Sequence, residues 1–266
     1  MFLFPNSRAF ALTMSYDDGT AHDERLVSIF NKHGIKGSFH LNSANLYNGN
    51  PASHIQAERA SEIFAGHEIS CHTLTHPWPC EITKDRLAFE VLQDRANLEK
   101  ISGGVVRGMS YPFGQYDRAV IDTMRACGIV CSRTVHSTGW FDVPKDFMEW
   151  HPTCHHNNAT EPAEKFLALV NEEKPHRREM RLLYIWGHSY EFPRDDNWVH
   201  IENLCAKLGG NDKIWYATNI EIHDYITAVR AMRSSVDGTC LYNPSGVSVW
   251  TADGEIKPGE TVQVKL

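Results

Sequence analysis

Ala9-Phe10-Ala11-Leu12-Thr13-Met14-Ser15-Tyr16-Asp17-Asp18-Gly19 is the stretch on which the reading of this chain turns. Phe10, Leu12, Met14 and Tyr16 recur with the two-residue period of a strand. The strand ends in two adjacent carboxylates. On regular strand geometry Asp17 and Asp18 face opposite sides, but Gly19 lets the chain leave that geometry, so both can enter one site. Asp-Gly is also an ordinary turn dipeptide, so the pair alone does not define a site. A helix over residues 23–33 follows, with Leu26, Val27, Ile29 and Phe30 as its apolar face and Gly34 closing it.

The alternation repeats along the chain. Further strands are predicted at residues 36–41, 67–70, 105–110, 129–134, 182–186 and 213–217. Helices are predicted at 56–65, 83–101, 117–127, 163–171, 198–208 and 220–232. About seven strand–helix units imply an α/β fold, a parallel sheet forming a distorted or incomplete (β/α) barrel. Such folds build their sites on the loops after the strands. Residues 1–240 form this domain. Residues 241–266 differ, because 247–250 and 261–266 alternate like strands around Asp253-Gly254 and Pro258-Gly259 turns. They read as a short β-appendage packed on the larger domain, too short to fold alone.

Composition narrows the function. The chain has 266 residues, 42% hydrophobic and 22% charged, enough apolar material for a sizeable core. A formal net charge of -7 argues against nucleic acid or an anionic membrane surface as partner. No apolar run has the length of a membrane span. The first ten residues do not read as a secretory signal, so a cytoplasmic setting is expected. The seven cysteines are odd in number and form no Cys-x-x-Cys pair, which implies buried, reduced thiols.

His72-Thr73-Leu74-Thr75-His76-Pro77 places two histidines four apart, a spacing that sets both rings on one side of a single helical turn. Zinc proteases use similar spacing with Glu after the first His, where this chain has Thr73. With Asp18 the pair supplies three ligands suited to a divalent metal, and Asp17 is a spare carboxylate beside them. That set suits metal-assisted hydrolysis. Arg107-Gly108-Met109-Ser110-Tyr111-Pro112-Phe113-Gly114 ends another strand, and Leu182 to Trp186 is an apolar strand ending in Gly187-His188. Taken singly, these are a turn and a structural histidine. The segment 151–156, which contains His151, His155 and His156, reads either as a polar loop or as substrate contact by His155 or His156.

Read together and in order, these motifs at strand ends resemble the polysaccharide deacetylase family, carbohydrate esterase family 4, whose shared unit is the NodB homology domain. Phe39-His40-Leu41-Asn42 resembles the family's second strand. The resemblance spans residues 10–232. It implies a metal-dependent deacetylase that removes acetyl groups from N- or O-acetylated carbohydrate. By position, Asp18, His72 and His76 would hold one divalent ion, zinc in the first instance, with cobalt, iron or manganese as alternatives. Asp17 would be the general base, His188 the general acid, and the Phe113 N–H an oxyanion donor.

The chain departs from the family pattern in three places. The family's third motif has Arg two residues before Pro, where this chain has Ser110. Arg107, five before, is then the candidate to orient Asp17. The family's Asp-Trp motif is not evident after 129–134, which leaves Trp140, Asp142 and Trp150 as candidate pocket walls. Trp186 stands where the family has Leu, implying a reshaped acyl pocket, to which Tyr111 is also assigned. Two alternatives follow. One is an allantoinase-like amidohydrolase on a non-sugar C–N bond, against whose metal-free form the intact ligand set counts. The other is a non-hydrolytic sugar-binding protein using Trp78, Trp140, Trp150 and Trp186 as stacking surfaces.

Overall fold

The parallel sheet is organised around one strand, β2. In the computed structural model, which describes residues 1–172 and 179–264, the strands are β1 (Phe2–Leu3), β2 (Phe10–Asp17), β3 (Gly37–Leu41), β4 (Glu68–Cys71), β5 (Gly108–Ser110), β6 (Cys131–Arg133), β7 (Cys154–His155), β8 (Arg181–His188) and β9 (Ile214–Tyr216). The helices are α1 (Asp23–Lys32), α2 (Ser43–Asn48), α3 (Ala57–Ile63), α4 (Lys84–Ser102), α5 (Arg118–Ala126), α6 (Thr160–Asn171), α7 (Glu191–Arg194), α8 (Trp198–Leu208) and α9 (Asn219–Ala231). Every residue of β2 from Ala11 to Asp17 is buried, as expected for a strand covered on both faces.

One edge of β2 pairs with β8 along its whole length, from Phe10 opposite Arg181 to Asp17 opposite His188. The other edge is shared. Its first part, Phe10 to Leu12, pairs with β9, and its last part, Met14 to Asp17, pairs with β3. The path through the sheet is β6-β5-β4-β3-β2-β8-β7. The two ends of this curled sheet are stitched by one segment. Trp150 N–H donates to Ser132 O at 3.1 Å and Trp150 O accepts from Thr134 N at 3.0 Å, while Thr153 N–H donates to Tyr184 O at 2.8 Å. The outcome is the distorted parallel barrel that the sequence implies.

Helix faces supply the outer layer. α1 buries Leu26, Val27, Ile29 and Phe30, and α5 buries Val120, Ile121 and Met124. α9 begins with a capping box, Thr218 and Glu221 each satisfying the other's backbone N–H. Among the described residues, no helix is long and apolar enough to cross a membrane. All seven cysteines are free. Five are buried as expected, but Cys80 is exposed and Cys240 half-buried.

The C-terminal strands are β10 (Arg233–Ser234), β11 (Cys240–Tyr242), β12 (Val249–Thr251), β13 (Gly254–Ile256) and β14 (Thr261–Gln263). They form two small antiparallel sheets, β10-β11-β14 and β1-β12-β13. The second recruits the N-terminal β1, with Phe2 opposite Thr251 and Leu3 opposite Trp250. Tyr225 of α9 ties that sheet down, its hydroxyl donating to Leu3 O and accepting from Trp250 N at 3.0 Å. Residues 265–266 of the predicted last strand lie outside the described residues. Helices α2 and α7 and the short strands β1, β7, β10, β11 and β13 have no counterpart in the sequence reading. β7 has two residues and α7 has four, lengths at which no periodicity can register.

Candidate active site

The carboxyl ends of β2, β3, β4, β5, β6 and β8 converge. Asp17 ends β2, in register with His40 on β3 and His188 on β8. The chain turns out of strand geometry at Asp18 itself, whose φ is 80°, one residue earlier than Gly19 alone would require. Asp18 N–H donates to His40 O at 2.9 Å, which fixes that turn. Both carboxylates therefore enter one site. Asp17 Oδ2 lies 3.7 Å and Asp18 Oδ1 3.6 Å from His72 Nε2.

The two candidate ligand histidines meet in a way that differs from the expected helical turn. Residues 72–76 form an irregular loop in which Thr73 (φ 65°) and His76 (φ 58°) are left-handed, a costly conformation for residues with a Cβ. Helix α4 over-determines it from below. Asp94 accepts from His72 N at 3.1 Å and from Ser43 N at 2.8 Å. Glu90 accepts from Thr75 N at 2.8 Å and Thr75 Oγ1 at 2.9 Å, and its backbone O takes Leu74 N at 3.1 Å. Asn42 donates to both His72 O and Thr73 O, and Thr73 Oγ1 accepts from His76 N at 3.2 Å. The strained loop thus has its backbone groups satisfied by buried side chains.

Asp18, His72 and His76 fit a divalent cation. Their ligand atoms lie within 4.8 Å of one another, with Asp18 Oδ1 3.9 Å from His76 Nε2. His72 Nδ1 faces two Ser110 oxygens, the carbonyl at 2.9 Å and Oγ at 2.7 Å. Its proton therefore sits on Nδ1, and Nε2 presents a lone pair to the site, the second-shell arrangement that metal-ligating histidines use. Burial pushes the His72 ring down to about 3, so it stays neutral. Burial and the charge of Asp17 raise the Asp18 carboxyl, a cost that a bound cation offsets.

Asp17 is held from two sides. Ser110 Oγ donates to Oδ1 at 3.1 Å, and the Arg133 guanidinium pairs with Oδ2. Arg133 is 1% exposed, and its guanidinium lies 4.1 Å over the Trp186 ring. Burial works against ionisation of Asp17, but Arg133 and His72 hold its carboxyl well below the usual range. Arg107 does not do this job. It makes a bidentate pair with Asp224 of α9, at 2.8 and 2.7 Å. The reason is strand parity: Ser110 faces the site, and an odd offset of three residues turns Arg107 to the opposite face.

His188, on β8, lies directly opposite Asp17 on β2. Its Nδ1 is 3.6 Å from Glu191 Oε1. Burial disfavours the charged ring, but the carboxylates of Glu191, Asp17 and Asp18 outweigh it and raise His188 above the ordinary imidazole value. Phe113 sits in a left-handed turn (φ 57°), its ring edge-on to His76 at 4.4 Å and stacked on Trp78 at 3.7 Å. Trp186 is buried beneath Arg133 with its edge on His155, 4.8 Å away. Trp140 is the most exposed tryptophan of the candidate walls, at 71%. Tyr111 is not a pocket residue. It is 1% exposed, stacks on Tyr116 and donates to Met148 O at 2.8 Å, again on the face opposite Ser110. Trp150 is equally buried, packed on Phe147 and Tyr184, and Asp142 pairs with Arg181 at 3.0 Å.

The residues that sequence reading missed are Arg133, Ser110, Glu191 and the α4 pair Glu90 and Asp94. One signal was available. Glu90 and Asp94 fall on the helix face that carries Leu87, Val91 and Leu98, and an acid on a buried face needs a partner.

Comparison with known proteins agrees with this geometry. The polysaccharide deacetylase family model matches residues 5–132, so the resemblance read from the motifs holds. A Mycobacterium smegmatis protein provisionally named a polysaccharide deacetylase superposes with TM-score 0.61 at 14% identity, covering 86% of this chain and 93% of that one. The chitin deacetylase of the fungal pathogen Colletotrichum lindemuthianum superposes with TM-score 0.54 at 15% identity, covering 81% and 87%. At these identities the likeness establishes the fold. The Streptococcus pyogenes deacetylase PplD gives TM-score 0.44 at 18% identity over 46% of this chain, which spans 55% of its length. The search among curated proteins found no match.

Proposed function

We propose that this polysaccharide deacetylase relative is a metal-dependent hydrolase that removes acetyl groups from N- or O-acetylated carbohydrate. The observation that carries the reading is the placement of an Arg133-clamped Asp17 between the Asp18, His72 and His76 side chains and His188 on the neighbouring strand.

Asp18, His72 and His76 would hold a divalent cation, which would supply Lewis acidity toward an acyl carbonyl and toward water. The chain's own groups do the rest. Asp17 takes the proton of the attacking water. Its low pKa makes it a weak base in isolation, so the Arg133 and Ser110 contacts serve chiefly to aim it. His188, whose acid form is favoured by the carboxylates of Glu191, Asp17 and Asp18, delivers its proton to the leaving nitrogen or oxygen. The Phe113 N–H donates to the oxyanion. The Trp78–Phe113 stack, with Phe113 45% and Trp78 42% exposed beside His76, offers a flat apolar wall to a sugar ring.

Acetate release tests this reading. The metal-loaded protein is assayed over chitin oligomers, acetylated xylan, peptidoglycan fragments and small acetylated sugars. Release from at least one class, abolished by chelation and restored by metal, is expected. Saturable sugar binding without acetate release would replace the hydrolase with a binding protein.

A further inference from the structure

A second cluster of metal-ligating side chains lies beside the first, and of its members only His188 takes part in the reaction above. Glu191, on the one-turn helix after β8, receives three imidazoles. His155 Nε2 and His156 Nε2 each lie 3.1 Å from its Oε2, and His188 Nδ1 lies 3.6 Å from its Oε1. His155, His188 and Glu191 each offer a ligand atom within 4.8 Å of the others. The 3.1 and 3.6 Å imidazole–carboxylate separations suit ligands that share one tetrahedral ion, for which metal–ligand distances of about 2.0–2.2 Å set edges slightly above 3 Å.

The polar atoms here also lack ordinary partners. Glu191 Oε2, His188 Nδ1 and His156 Nε2 are all inaccessible to solvent and make no well-directed hydrogen bond. His156 is 0% exposed, clamped between the rings of Tyr16 and Phe192. The fold keeps room for it at a cost. A Cβ on Gly187 would stand 1.9 Å from His156 Nδ1, so only glycine fits between His188 and the rest of β8. Clustered buried polar atoms without hydrogen bonds call for a ligand among them.

We propose that His155, His188 and Glu191, with His156 at the same carboxylate oxygen, bind a second divalent cation distinct from the one at Asp18, His72 and His76. Imidazoles with a single carboxylate favour zinc, cobalt or nickel over magnesium or calcium. On the proposed hydrolytic reading, such an ion has a consequence. It occupies His188 Nδ1, where the proton of the imidazolium belongs, so the ring loses its acid form and the site is inhibitory.

Equilibrium dialysis against Zn²⁺ or Co²⁺, with metal analysis, tests the site independently of activity. The wild type is expected to bind two equivalents. His155→Ala and Glu191→Gln should each bind one, as should Asp18→Asn, with melting temperature recorded for every variant. His155 is at the rim of the cluster, so its replacement spares the core. The visible Co²⁺ absorption of one equivalent should vanish in His155→Ala and persist in Asp18→Asn. Saturation of the wild type at one equivalent, or two equivalents retained by folded His155→Ala, overturns the proposal. Where acetate release is established, excess Zn²⁺ should slow it at least ten-fold in the wild type and less in His155→Ala. Equal inhibition of both removes the inhibitory role, while the dialysis counts still decide whether the ion binds.

Discussion

Arg133 reaches Asp17 although β6, which carries it, is four places from β2 along the sheet. Only the curl of the sheet brings the two together. The family pattern supplies this arginine from the strand of Ser110. Here Ser110 has moved into a different role, bridging Asp17 and His72, and the guanidinium comes from the next strand.

Arg133→Lys is expected to lower kcat at least ten-fold with metal content unchanged. Lysine keeps the charge but not the planar fork that fixes a carboxylate. Arg107→Lys, on the other face, should leave kcat within about two-fold. Steady-state kinetics with metal analysis on both variants checks this. The reverse ranking would return the orienting role to Arg107.

Asp17→Asn should retain the metal and lose roughly 10²-fold or more in kcat, the usual worth of general base catalysis. The measurement is turnover on a substrate that wild type demonstrably hydrolyses. Near-normal turnover in the variant would mean that another group takes the proton.

The pH dependence follows from His188. Its pKa is raised, so the acid form persists to higher pH than in an ordinary imidazole and is lost as pH rises through the raised value. Activity should therefore fall on the alkaline side, whereas the limb set by Asp17 lies far down in acid. Glu191→Gln removes one of the charges that raise His188 and should move the alkaline limb to lower pH. A kcat/KM profile at one equivalent of metal reads this directly, and an unmoved limb contradicts it.

Asp94→Ala should weaken metal binding from a distance. It strips the acceptors from His72 N and Ser43 N, and each buried donor left unpaired costs about 1–3 kcal/mol. The strained Thr73–His76 loop then has less to hold it. A lower melting temperature with at least ten-fold weaker metal affinity is the expected pair of results. A lower melting temperature with unchanged affinity would confine Asp94 to stability.

What the sequence made legible was what short-range pattern can carry. Phe10 to Tyr16 announced the central strand, and Asp17, Asp18, His72 and His76 fell at strand ends where barrels gather chemistry. Arg133 was not legible, because its role depends on the curvature of the whole sheet. Arg107 looked right by composition, yet an odd number of residues from Ser110 places it on the wrong face. Tyr111 failed for the same parity. Trp140 and Trp150 read alike as pocket walls, but the stitch through Trp150 buries that ring and leaves Trp140 in solvent. Glu191 lay on a helix too short for any period to show.

The pairing of β2 with β8 also bears on how the chain is made. During synthesis β2 emerges about 170 residues ahead of β8, its full-length partner. At a typical elongation rate of about 5–20 residues per second, that edge waits roughly ten seconds or more, apolar and unpaired. β1 waits longer still, for strand β12. An unpaired apolar edge is a template for joining another chain. The nascent protein should therefore need a holding chaperone or low expression temperature more than its final stability suggests, and the yield of folded protein should be limited by synthesis rather than by the finished barrel.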